Sequence, residues 1–224
     1  MAFTVTARQS APNAGTATGT LVSSSATPTA NSLFLVAFGA QMDDGAATLP
    51  VFVPPVGGSL TYTQVDKHGD VTALEWGNGT GFCLGGAVYR APIGGSPSAF
   101  PVTVDGASAP TNGYHSVVCL DITGHNTTTP IVSGQVARNG AKINPQSDTA
   151  SGSVTLPAPP TAGNLIVVIA WIYTSNGSGN LPLAGCADNQ GNTYTRAAIS
   201  SVTTGRSGGG VIASPPSSHR GADP

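Results

Sequence analysis

Four histidines, His68, His115, His125 and His219, stand among 22 serines. Nucleophilic hydrolysis would need one of those serines beside a histidine base that a third group orients. No Gly-x-Ser-x-Gly elbow is present, so no triad is assigned. His115 falls in a strand pattern and reads as a packed or edge histidine. His68 and His125 adjoin glycine in turn contexts and read as exposed loop residues. Asp43, Asp44, Asp66, Asp70 and Glu75 could gather oxygens across neighbouring loops, a donor set that suits calcium, and Asp188-Asn189-Gln190-Gly191-Asn192 has a comparable look. That second stretch lacks the glutamate that closes a calcium loop, and turn chemistry explains both groups more simply. Nothing supplies the two facing carboxylates of a glycosidase. The glycine clusters lack the Lys-Ser/Thr and the helix of a phosphate loop. No catalytic residue, cofactor-binding residue or metal ligand is therefore assigned, and the chain is expected to be a non-enzyme without a cofactor.

Aromatic side chains offer one binding chemistry, because sugar rings stack on flat apolar faces. Trp76 is followed by Gly77, Asn78, Gly79 and Thr80, so any platform there needs the fold to bring Tyr62 or Tyr89 close. Trp171 lies in a dense apolar run. A core or interface role for each tryptophan is the simpler reading, with sugar binding at Trp76 as the chief alternative. Cys83, Cys119 and Cys186 form no close metal-ligand pair. Cys83 and Cys119 both fall in strand patterns, and two small buried hydrophobes are preferred there over a disulfide.

The elements that carry these residues are organised by a repeat. Thr27-Pro28-Thr29-Ala30-Asn31-Ser32 leads into Leu33-Phe34-Leu35-Val36-Ala37-Phe38, and Pro160-Thr161-Ala162-Gly163-Asn164 leads into Leu165 to Trp171. Pro28 and Pro160, Leu33 and Leu165, and Tyr62-Thr63 and Tyr194-Thr195 are all 132 apart. Three features in one register indicate an internal duplication. The run 33–38 predicts a central strand, covered on both sides or covered by the core on one side and a partner on the other.

Strand patterns recur at Thr18–Ser25, Leu60–Val65, Val71–Trp76, Phe82–Arg90, Phe100–Val104, Tyr114–Ile122 and Val132–Val136, with no convincing helix. Within them Cys83, Ala87 and Tyr89 should face one way and Phe82, Leu84 and Val88 the other. Likewise His115, Val117 and Cys119 should oppose Tyr114 and Val118. The predicted fold is all-β, an antiparallel β-sandwich of Ig-like or jelly-roll-like type with a second, related but incomplete unit. The divisions are an N-terminal arm at 1–16, which also reads as a poorly packed first strand, a first β-sandwich unit at 17–137, a connector at 138–149, a partial second β unit at 150–203 and a flexible Gly/Ser/Pro tail at 204–224.

The tail assignment rests on Gly208-Gly209-Gly210 and Pro215-Pro216, which do not suit central strands. At the 132 spacing the counterparts of Phe82, Phe100 and Tyr114 would fall at 214, 232 and 246, so the second unit holds about half its strands. Its apolar face then needs a cover. It could fold over the first unit, pair with another subunit or remain partly disordered, and a subunit is favoured.

Composition narrows the function classes. Charged residues make up 8% of the 224, against roughly a quarter in an ordinary globular domain. Gly, Ser and Thr together supply 78 residues, which fits a hydroxyl-and-glycine surface or life inside an assembly. With a formal charge of −2 and only Lys67 and Lys142 as lysines, no basic field for nucleic acid is offered. The first residues lack a basic region followed by an apolar run, so no signal peptide is expected. No apolar stretch approaches eighteen residues, so no membrane insertion is expected.

The phrases at 160–170 and 188–194 resemble the Pro-x-x-Gly-(Asp/Asn) lead-in and the Asp-x-x-Gly-Asn-x-Tyr turn of repeated β-sandwich modules in bacteriophage virion and bacterial surface proteins. The first copy departs from that pattern, with Asn31-Ser32 at the lead-in and Gly57-Gly58-Ser59-Leu60 before Tyr62. The resemblance implies a structural component of a phage particle, either capsid decoration or a tail or fibre protein, located in the virion. Its partners would be further copies of itself and other virion proteins. A carbohydrate-binding adhesion module that takes a host-surface glycan is the alternative.

Overall fold

The computed structural model describes residues 3–12, 20–43, 52–68, 82–105, 113–128, 130–131, 164–173, 186–189, 191–192, 194–200 and 207–214. The chain is all-β with antiparallel sheets. Strands β1 (Thr4–Pro12), β3 (Leu33–Asp43), β4 (Thr63–His68), β5 (Phe82–Pro92) and β7 (Gly113–Thr123) form a five-stranded sheet in the order β1-β7-β3-β5-β4. A small sheet of β2 (Thr20–Val22) and β6 (Thr103–Asp105) covers part of its front. A third sheet, β8 (Ile166–Tyr173), β9 (Thr195–Ser200) and β10 (Ser207–Ser214), lies at its back in the order β8-β10-β9.

The apolar run 33–38 forms most of β3, and the sheet order puts that strand at the centre. Alternation sends Phe34, Val36 and Phe38 into the front core and Leu33 and Leu35 into the back core. In front, Ala87, Tyr89, Val117 and Cys119 join Leu21, Phe52, Phe100, Val102 and Val104. Phe100 meets Phe34 edge-on with ring centroids 5.7 Å apart, and Phe52 meets Phe38 at 5.1 Å. Fully burying each such side chain is worth roughly 1.5–3 kcal/mol, so this layer dominates stability. The expected facing of Ala87, Tyr89, Val117 and Cys119 against Val118 is what the cores contain.

At the back, Leu33, Leu35, Val118, Leu120 and Ile122 meet Leu165, Val167 and Ile169. These last three sit 132 residues after 33, 35 and 37, so equivalent faces of the two copies are turned toward each other. One face of the second unit is thus covered by the first unit, an arrangement the sequence left open but ranked behind a subunit partner.

Two assigned divisions change. The N-terminal stretch contains β1, hydrogen-bonded along β7, with Phe3 and Val5 on the back core. Of the two readings of this stretch, an arm or a first strand, the strand is present, paired with β7 more than 100 residues away. The segment taken as the start of a tail contains β10, the middle strand of the third sheet. Gly208 and Gly209 lie opposite Ile172 and Trp171. In the first copy Gly85 and Gly86 lie opposite Ala40 and Gly39 of β3.

That correspondence is detailed. Leu35 pairs with Arg90, and Val167, its equivalent, pairs with Ala213, which puts β10 123 residues after β5 instead of 132. At this offset Gly85-Gly86-Ala87-Val88-Tyr89-Arg90-Ala91-Pro92 aligns with Gly208-Gly209-Gly210-Val211-Ile212-Ala213-Ser214-Pro215. β4 and β9 are in the 132 register end to end. Their bulges coincide as well: the β4–β5 ladder skips Val65 and the β9–β10 ladder skips Ala197. The second unit therefore repeats the three-strand unit β3-β4-β5, whose last strand lies between the first two, with nine residues fewer in the last connection. Residues 71–76, 132–136, 138–149 and 151–156 lie outside the described residues.

Candidate functional site

Two carboxylates organise the polar chemistry of the described residues. Asp121, near the end of β7 and 1% exposed, holds the lead-in turn of β3. Its Oδ2 accepts from the Thr29 amide at 2.6 Å and from Arg8 Nε at 2.5 Å, and its Oδ1 accepts from Ser32 Oγ at 3.4 Å. Arg8 also donates to Thr29 Oγ1. The β1–β7 register skips Arg8, and such a bulge re-aims a side chain. Asn31 takes φ of 55°, which asparagine tolerates better than most residues, and its amide donates to Gly94 O at 3.1 Å. The cluster fastens a turn to a strand 90 residues away. It leaves both carboxylate oxygens engaged.

Asp188 does the same for the lead-in of β9. Its Oδ1 accepts from the Asn192 amide at 3.0 Å, an Asx-type turn, while Oδ2 accepts from Asn192 Nδ2 at 2.5 Å and Tyr194 Oη at 2.8 Å. Gly191 takes φ of 72° to close this turn. Burial first, and then the bond to Asp188, push the Tyr194 hydroxyl pKa above its ordinary value. Positive ends of N–H and O–H bonds face the carboxylate where a cation would have to sit. The stretch 188–192 thus acts as turn chemistry.

The first copy solves the same corner without a carboxylate. Gly58 and Ser59 take φ of 60° and 53°, the Leu60 amide donates to Gly57 O at 3.1 Å, and Tyr62 Oη donates to the same carbonyl at 3.5 Å. Positive φ at both central residues is the type I′ pattern. Each repeat therefore ties its tyrosine back onto its turn, by side chain in one copy and backbone in the other. Beside the first turn is a concavity of about 200 Å³ lined by Gly58, Leu60, Ile93, Gly94, Pro97 and Phe100. It is smaller than typical small-molecule sites and carries no titratable group.

The remaining candidates are dispersed. Asp43 pairs with Phe82 and Asp66 with Val88, six positions apart on β5, or about 20 Å at strand rise. Asp44, Asp70 and Glu75 lie outside the described residues, as do His219 and Trp76. His68 ends β4 opposite Gly86, and His115 lies on β7 opposite Ala40. His125 is half-buried, with Nδ1 donating to Ile122 O at 3.0 Å, a local cap after β7. Among the described residues no group of three His, Cys, Asp or Glu is placed to hold a metal ion.

Cys119 is free and fully buried. It pairs with Val36 and Cys83 pairs with Met42, on opposite sides of β3 and six positions apart, far beyond the Cα separation a disulfide allows. Burial, and secondarily the Asp121 charge, push the Cys119 thiol pKa upward. Burial raises the Tyr62 hydroxyl in the same core, with a smaller contribution from Cys119.

The least satisfied surface is apolar. Positions 165–169, leading into and along β8, are half-exposed, whereas the equivalent positions 33–37 on β3 are all buried. β8 is an edge of its sheet, and β3, its counterpart, has β7 on that side. Among the described residues no strand pairs with the other side of β8. No protein-family model, curated protein or solved structure matches the chain.

Proposed function

We propose that this chain is a structural component of a bacteriophage particle, a capsid-decoration, tail or fibre protein that works by packing against neighbouring subunits. The observation that carries the reading is the uncharged apolar strand β8 at a sheet edge, with residues 166–169 only partly buried, in a chain with only 8% charged residues. Exposed apolar edges are hazards in freely diffusing proteins and useful where assembly covers them. The function is mechanical: the two repeated three-strand units bury their shared faces within the chain and leave the β8 edge for a neighbour.

The test is mass spectrometry and immunogold microscopy of gradient-purified particles from a lysate that expresses the chain. Stoichiometric presence with regular labelling is expected. Recovery of the chain only in the unassembled soluble fraction, together with specific capture on a glycan array, would replace the proposal with the adhesion reading.

A further inference from the structure

We draw no further inference here: the strongest candidate, the buried Asn192 Oδ1 beside the Asp188 carboxylate in the turn before β9, makes no hydrogen bond among the described residues but belongs to the turn already described, where N–H and O–H donors occupy both carboxylate oxygens.

Discussion

Replacing Arg8 by methionine should destabilise the chain more than replacing Asp121 by asparagine, and the second change should rescue the first. The asymmetry comes from exposure. The Arg8 side chain is 29% exposed and can be hydrated when its partner is neutral, whereas the Asp121 side chain is 1% exposed and cannot. Leaving a buried charge without its partner costs about 3–5 kcal/mol. The lower end applies here, because the Thr29 amide and Ser32 hydroxyl still donate to the carboxylate. Arg8→Met should therefore cost about 3 kcal/mol. Asp121→Asn keeps an acceptor for the Thr29 amide and should cost about 1 kcal/mol, the scale of one exposed ion pair. The double variant should resemble Asp121→Asn, giving a coupling of about 2–3 kcal/mol between two side chains in direct contact. Urea unfolding measures all three. With a slope of about 3 kcal/mol per molar, Arg8→Met should lower the midpoint by about 1 M and the double variant by about a third of that. Additive effects, or an Asp121→Asn cost equal to that of Arg8→Met, would refute the reasoning.

The two turns separate backbone strain from steric clash. Gly58→Ala puts a Cβ within 2.7 Å of the Phe100 ring at φ of 60°, and should cost at least about 2 kcal/mol. Gly191→Ala, at φ of 72° with nothing within 4 Å, should cost only the roughly 1 kcal/mol of left-handed backbone; equal midpoint shifts would count against the Phe100 contact. Tyr89 Oη is buried without a hydrogen-bond partner among the described residues, so Tyr89→Phe should leave stability unchanged or raise it by up to about 1 kcal/mol. Tyr194→Phe loses the bond to Asp188 and should lower stability by about 1 kcal/mol, and thermal melts of the pair should move in these directions. Cys119 has its folded-state pKa raised by burial and by Asp121, so its contribution is complete below the unfolded thiol pKa of about 8.5 and is lost as pH rises above it. Urea titrations from pH 7.5 to 10.5 should show falling stability, with a shallower fall in Cys119→Val; identical slopes would contradict it.

The duplicated strand and its two-sided burial were legible because β3 declares itself locally, as an uninterrupted apolar run behind a Pro/Asn turn. The tyrosine corners were legible as a spacing, although not as hydrogen bonds. β10 was hidden for two reasons. Glycine has low strand propensity, and the shorter last connection moved the strand nine residues out of the 132 register. Gly-Gly-x-Val with proline four residues after the valine, shared by 85–92 and 208–215, was the signal that could have found it. Asp121 was missed because its partners come from β1 and from the lead-in turn of β3, a meeting that only the β1-β7-β3 order creates. The β1 strand was legible only as an alternative to an arm, since its neighbour β7 is distant in sequence.

The account turns on the second three-strand unit being a formed sheet laid against the first, with its middle strand in the glycine-rich segment. Amide hydrogen exchange of Ser207–Ser214 in the free chain tests this most directly. A middle strand hydrogen-bonded to β8 and β9 should exchange far more slowly than an unstructured peptide, with Val211 and Ile212 among its protected amides. Exchange at unstructured rates throughout 207–214 would contradict it, and with it the packing of one repeated unit on the other.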